Sequence, residues 1–419
     1  MCREKRQVKH SALNEPRFRR YYPASWCSGL GSWMLRFLLG WNAWELTQSA
    51  LWVGIVSALM LAPALLLSPY FGVQSDRVNP RYGLIWSMLI HGAIAMSGAL
   101  ATYFGMLNLS VLLILATALG SVSAMHSPMR LALVPLLVPR EALPSAVGLT
   151  AMSFNIARIL GPAICATVIA RAGATWAWST PVLIFAASGF ILKSLGGVGT
   201  RQKRVHGSVN SEFVDGLRYV FSAAPLVIIL ALTSINGFLG RSFIELLPAV
   251  SGRLIAGGAA ELAWLTAAAG GGAVLGGFLM SRLRADIRYL YNMSVIAMLF
   301  AAGLLSNLFW ITHLSSLFVL VGLLSLSTTL AGTACQTLAQ LVIDPPYHGR
   351  VMSLWSMTMM AAPAVGAAIH GAVAEWLGFV VAFALAAFFG IFSLIGLYQR
   401  RRGMSEDVPV AKVTMSDSR

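Results

Sequence analysis

From residue 24 to residue 398 the chain is a succession of long apolar stretches with short breaks between them. Crossing the hydrocarbon core of a bilayer takes about 20 apolar residues per helix. In lipid a spanning segment must satisfy its own backbone polar groups, so such stretches read as helices. The chain is 57% hydrophobic and 11% charged, against about 25% charged in an average globular protein. Water cannot be the solvent for most of it. Helices are predicted near 24–47, 51–74, 81–103, 108–135, 145–170 and 176–196, then near 225–249, 260–281, 288–309, 314–342, 350–374 and 378–398. Twelve spans nearly exhaust 419 residues, which leaves little for any domain outside the membrane.

These breaks give five parts. Residues 1–23 form a basic N-terminus, 24–196 a six-helix bundle, 197–222 a charged linker, 223–398 a second six-helix bundle, and 399–419 a polar tail. The basic N-terminus runs into a full-length apolar segment followed by many others, unlike a cleaved signal peptide. Cys2, Cys27, Cys165 and Cys335 are far apart and share no ligand spacing, so neither a disulfide framework nor a metal site is expected.

The net charge is +15, and its placement says more than its sum. Of the 30 Lys and Arg residues, 24 fall in the N-terminus, the even-numbered loops and the tail. Only Arg171 and Arg253 fall on the other side, and Arg36, Arg130, Arg158 and Arg241 lie within helices. Basic residues gather on the cytoplasmic side of a membrane protein. Both termini are therefore expected in the cytoplasm, the span count is expected to be even, and nucleic acid is not the expected partner.

A shift of 205 residues relates the halves. It carries Arg36 to Arg241, Gly72 to Gly277, Arg77 to Arg282, Met152 to Met357, Gly161 to Gly366 and Ile164 to Ile369. Six helices per unit give the second copy the orientation of the first, so the repeat is parallel, about an axis along the membrane normal.

The loop after the second predicted helix reads Gly72-Val73-Gln74-Ser75-Asp76-Arg77-Val78-Asn79-Pro80-Arg81. It resembles the pattern Gly-x-x-x-Asp-Arg-x-x-x-Arg of the major facilitator superfamily, and Gly72, Asp76, Arg77 and Arg81 all match. The resemblance implies an all-α membrane fold of two parallel-repeat six-helix bundles. It also implies that this loop is a cytoplasmic latch for the outward-open state, with Asp76 at the positive end of the eleventh helix, near Arg350. The second copy keeps Gly277 and Arg282 but has Ser281 in place of the acid, so a weaker latch is expected there. The run Asn155 to Ala163, with its Gly161-Pro162 pair, and the stretch Gly349 to Gly366 resemble the branch that includes the enterobactin exporter and related siderophore and drug exporters. Ile164 and Cys165 stand where the antiporter motif of this helix usually has further glycines.

A charge at mid-bilayer costs about 3 kcal/mol on insertion scales, and such residues usually face a partner or a wet cavity. The candidates are Arg36 and Glu45 on helix 1, Arg130 on helix 4, Arg158 on helix 5, and Arg241 with Glu245 on helix 7. By the resemblance, helices 1, 4, 7 and 10 line the central cavity. Arg241 and Glu245 are four apart on one helix face. Either they simply pair, or Glu245 is the proton-binding carboxylate and Arg241 sets its proton affinity. Glu45 is the alternative carboxylate, nearer a helix end. Arg158, beside Asn155, either lines the cavity or holds helices together. Trp44 is expected as an interface anchor, and Trp33 and Trp41 face either cavity or lipid. His91, His126 and His370 are expected as interhelical hydrogen bonders, with His126 also placed to face the cavity and take up a proton.

The excess of intramembrane arginine favours an anionic cargo. No Gly-x-x-x-x-Gly-Lys-Ser/Thr motif is present, so ATP is not the expected direct energy source. The expected function is proton-driven export of a small amphipathic or anionic molecule such as a siderophore, from the inner membrane, by a chain working alone and without cofactors. Broad multidrug efflux, import, and lysophospholipid flipping are the alternatives within this fold. No convergent catalytic set points to an enzyme.

Overall fold

The structure is a computed structural model that describes residues 11–196, 209–282, 286–311, 313–344 and 347–400. For residues 68, 69, 72–77, 209–213 and 400 it describes the backbone and not the side chains. The described residues hold helices and turns and no strands. In the first half, α1 spans Pro16–Thr47, α2 Ala50–Arg77, α3 Pro80–Tyr103, α4 Leu109–Leu133, α5 Leu143–Ala172 and α6 Ala174–Ser194. In the second, α7 spans Val209–Ser222, α8 Ala224–Asn236, α9 Ser242–Glu245, α10 Leu247–Ile255, α11 Ala259–Ser281, α12 Ile287–Ser306, α13 Leu314–Val342 and α14 His348–Arg400.

Ten stretches of the described residues are long and apolar enough to cross a membrane. α1 is not among them, although it has 32 residues, because Ser28, Ser32, Arg36, Asn42 and Glu45 thin its apolar run. The 53-residue α14 counts once, but its helical course breaks at Gly378, where φ is +81°. That left-handed backbone is open to glycine at little cost, and the break falls where the sequence predicts a boundary between two helices.

Three local features depart from the predicted segments. α1 reaches back to Pro16 rather than residue 24, because proline at the first turn has no N–H to leave unpaired. Part of the supposed linker is a helix, α7, whose sequence puts Leu217 and Val220 on one face and Asp215 and Arg218 on another. The seventh predicted helix is not regular. Gly237–Arg241 form a π turn between α8 and α9, and such turns concentrate at functional sites.

The outside of the bundle is apolar: Leu66, Trp86, Ile114, Leu183, Phe190 and Phe392 are each more than 60% exposed. Exposed apolar surface on this scale calls for a lipid partner. Between the two halves, α2 packs on α14 and α5 packs on α11. The 205-residue shift carries α2 onto α11 and α5 onto the first part of α14, so the two contacts exchange with each other.

Arg81 has a structural role that the motif does not announce. Its guanidinium donates to the carbonyl oxygens of Leu192 (2.8 Å), Gly196 (2.5 Å) and Lys193, and so closes the C-terminal end of α6. Carbonyls at a helix end lack the regular partner one turn on, although that of Leu192 also accepts from the Leu195 N–H at 3.4 Å, and a cation there faces the negative end of the helix dipole. Arg81 is 8% exposed. Hydrogen bonds to a charged group contribute about 1.5–3 kcal/mol. Arg81→Ala is therefore expected to lower the thermal unfolding midpoint of the detergent-purified protein by several degrees, and Arg81→Lys by less. An unchanged midpoint in both variants would show the cap to be dispensable.

Candidate functional site

The end of the molecule that carries the α2–α3 turn, Arg81, Asp215, Arg282 and Arg350 is here called the basic end, and the opposite one the far end. At the far end the two halves are in close contact. A Cβ added to Gly54 of α2 would lie 2.3 Å from the carbonyl oxygen of Ala367 in α14. A Cβ on Gly371 would lie 2.5 Å from the carbonyl oxygen of Ala50. Small residues of this kind let helix backbones approach directly. Pro248 of α10 meets Gly40 of α1, and the Trp44 indole fills the space over Gly252, where an added Cβ would fall 1.9 Å from its Nε1. Trp44 is thus 7% exposed and belongs to the contact between halves, not to the membrane interface expected from sequence. That expectation rested on its place near a helix end, and the helix partner across the halves could not be read from there.

Below this seal is a cavity of about 1480 Å³, lined from both halves and running to Gly277, Gly349, Arg350 and Ser353 at the basic end. Among the described residues its wall carries Arg36, Arg158, Arg241 and Arg350 and one carboxylate, Glu245. His126 and Asn155 are also on the wall, whereas Trp41, Glu45 and Arg130 are not among the lining residues. Glu45 is exposed on the outside of α1. Trp41 packs against the buried core.

The chemistry of the wall centres on one ion pair. Arg36 Nη2 donates to Glu245 Oε2 at 3.2 Å and Oε1 at 3.4 Å, joining α1 to α9 across the halves. The Glu245 backbone carbonyl also accepts from Ser57 Oγ of α2 at 3.0 Å. Of the two readings left open for Arg241 and Glu245, simple pairing is not what forms: no ion pair joins them within 4.0 Å among the described residues, and the partner that reaches Glu245 comes from the other half.

Beside the pair, the guanidinium groups of Arg36 and Arg158 lie over the Trp33 ring, 5.6 and 5.4 Å from its centroid. Phe154 packs against the same ring at 5.6 Å. Cation–π contacts of this kind contribute about 0.5–2 kcal/mol. The Nε of Arg158 is buried and has no hydrogen-bond partner among the described residues. Trp33 therefore lines the cavity, the first of the two places the sequence left open for it. Phe154 and Ser57 carried no sequence signal, since an aromatic or a serine in an apolar helix is ordinary.

His126 and His370 bond between helices, whereas His91, expected to do the same, bonds within α3 to Ser87 Oγ at 3.3 Å and to the Ser87 carbonyl at 2.8 Å. Ser87 Oγ of α3 lies 3.0 Å from His126 Nδ1 of α4, and Ser242 Oγ lies 2.9 Å from His370 Nδ1 of α14. His91 is buried beside Ser87.

Of the latch motif, the side chains of Gly72, Asp76 and Arg77 lie outside the described residues. Gly277 faces open cavity, with nothing within 4 Å of an added Cβ. Arg282 lies over the Phe278 ring at 4.6 Å. Arg350 pairs with Asp215 of α7 at 3.8 Å. The same helix sends Tyr219 to Asp344, donating to Oδ2 at 2.8 Å, and stacks it on Tyr347 with ring centroids 4.1 Å apart. Burial pushes the Tyr219 hydroxyl above its ordinary range, which keeps it a donor. α7 is thus fastened to the turn that starts α14.

Comparisons with known proteins agree with this architecture. The sequence profile of a family described as a transmembrane secretion effector matches residues 8–413. A staphyloferrin A transporter of Staphylococcus aureus is 31% identical over 153 residues, 36% of this chain and 38% of that one. A macrolide efflux protein A of Streptococcus pyogenes is 22% identical over 80% of this chain and 83% of that one. Among solved structures, a POT family transporter in complex with 5-aminolevulinic acid superposes with a TM-score of 0.73 at 12% identity, over 93% of this chain and 96% of that one. A bacterial homolog of the human lysosomal transporter Spinster, inward-facing and unoccupied, gives 0.67 at 14% identity, over 94% and 98%. At these identities the structures show a shared fold.

Proposed function

The chain belongs to the transmembrane secretion effector family of major facilitator transporters, and we propose that it exports a small anionic molecule, such as a siderophore, in exchange for protons. Counting α1 and the two parts of α14 separated at Gly378 gives twelve spans in two parallel six-helix bundles. The basic end then faces the cytoplasm with both termini, in the inner membrane, and one chain is the working unit. In that orientation the described state is open to the cytoplasm and closed outside.

The observation that carries the reading is the charge of the cavity wall, four arginines against one carboxylate among the described residues. An anion entering from the cytoplasm meets Arg350, then Arg158 and Arg241. Unpaired buried donors such as Arg158 Nε are costly to leave empty, and a carboxylate or catecholate would satisfy them. Glu245 holds Arg36 while the carboxylate is charged. Taking a proton weakens that cross-half pair, and losing it restores the pair, which couples proton binding to the contact between halves. The match to a staphyloferrin A transporter over part of the chain supports the siderophore cargo. A second reading, broad drug efflux, is favoured by Met60, Met357, Met359 and Met360 on the same wall, since methionine adapts to varied apolar ligands, and by the macrolide efflux relative.

Proteoliposomes with an internal pH dye test this. Addition of a carboxylate or catecholate siderophore is expected to move protons out of step with a buffer control, and erythromycin is expected to move none. Arg158→Gln is expected to weaken binding of the anion about tenfold or more, the loss of one charged hydrogen-bonding group. Proton movement with erythromycin alone would establish the second reading instead.

A further inference from the structure

The far end of the molecule holds a contact that the charge map did not flag. Ser49 opens α2, its Oγ accepting from the Trp52 N–H at 3.5 Å. Across the halves, Glu375 of α14 brings one oxygen, Oε2, to this helix start. That oxygen accepts from the Ala50 backbone N–H at 2.8 Å and from Ser49 Oγ at 3.1 Å. Arg253 of α10 stands 3.8 Å from the same oxygen. The Glu375 side chain is 31% exposed and Arg253 49% exposed, while Ala50 is fully buried.

A helix start carries unpaired N–H groups and the positive end of the helix dipole. Helices usually satisfy these with a residue of their own. Here a carboxylate from the opposite half, 325 positions along the chain, does part of that work. The contact lies beside the sealed approach of Gly54 to Ala367 and of Gly371 to Ala50. It cannot survive if the far end opens, because α2 and α14 belong to different halves.

We propose that Glu375 is the outer latch of this transporter: it caps α2 only in the closed-outside state and sets how much of the population occupies that state. Both charged bonds break on opening, when α2 and α14 separate. Arg253 is the weaker member, since its contact is long and exposed. Glu375 is a positioning residue, remote from the cargo site, and its role rests on the alternating-access reading above without depending on what is carried.

Pulsed EPR distances between spin labels at Leu46→Cys and Trp376→Cys test this, in the full chain with its native cysteines replaced. Both positions are exposed at the far end, one on each half. The parent is expected to give a mainly short distance. Glu375→Gln and Glu375→Ala are expected to raise the ratio of long to short distance about tenfold, the effect of losing one charge-assisted cap. Glu375→Asp is expected to restore part of the short population, and Ser49→Ala added to Glu375→Ala to change little further. If Glu375→Ala is poorly inserted, Glu375→Gln, which keeps the shape, decides the matter. An unchanged distance distribution in well-inserted Glu375→Gln would overturn the latch. Failure of siderophore transport in proteoliposomes would leave this distance result standing, and would overturn the cargo assignment alone.

Discussion

Replacing Glu245 with glutamine is expected to abolish proton-driven efflux while leaving ligand binding in place. The side chain keeps its size and one acceptor oxygen for Arg36, which now lies 3.2 Å from the carboxylate. What disappears is the site for the proton. If cargo is exchanged for protons as proposed, a gradient of one pH unit, worth about 1.4 kcal/mol per proton, supports about tenfold accumulation of cargo per exchanged proton in the parent protein. In the variant, accumulation in proteoliposomes is expected to become indifferent to the gradient, while equilibrium binding of the cargo to detergent-purified protein stays within a few-fold of the parent. Accumulation that still follows the pH gradient would make Glu245 a structural partner of Arg36 and move the search for the coupling carboxylate elsewhere. Removing one member of a buried pair outright is a harsher change, costing about 3–5 kcal/mol. Glu245→Ala is therefore expected to fail at insertion as well as at coupling, and glutamine is the informative replacement.

The second large effect is expected from bulk at Gly54. A Cβ there meets the Ala367 carbonyl at 2.3 Å and the backbone of Ala368 at 3.4 Å, so the α2–α14 approach cannot be kept. Gly54→Val adds two further carbons to that clash. Forcing extra carbon into a packed contact costs about 1–3 kcal/mol, which disfavours the closed-outside state roughly tenfold to hundredfold. The same helices part when the far end opens, so the variant is expected to insert normally. Transport is expected to fall by a similar factor, and Gly54→Ala to fall between the two. Wild-type transport by Gly54→Val would show that the far end need not close.

Much of the frame was legible before any coordinates. Runs of apolar residues mark the membrane-spanning stretches because lipid imposes them residue by residue. The recurrence of Arg36 as Arg241 marked two of the four arginines found on the cavity wall, since a charge in an apolar helix has few places to go. What escaped sequence reading depends on partners distant in the chain. Arg241 was the partner in view for Glu245, by pairing or by setting its proton affinity, but the ion pair it makes is with Arg36, 209 positions away. Trp44 lay near a helix end, and nothing local revealed Gly252 opposite it. Glu375 sits at the end of a span, where an acid is unremarkable until the start of α2 is seen beside it. α7 was hidden by its length and charge, which make a short surface helix read as linker. Arg81 shows the same limit inside a motif: the pattern identified a family, while the three carbonyl partners at the end of α6 show what this arginine does.

The Trp33 cluster has a practical consequence. An indole with two guanidinium groups over its ring emits in an unusually strong positive field, and a bound anion would change that field directly. Among twelve tryptophans, Trp33 combines a cavity position with two such cations. The difference in emission between the parent and Trp33→Phe would isolate its signal. The protein thus carries its own optical sensor for cargo, one that needs no attached dye and reports from within the site.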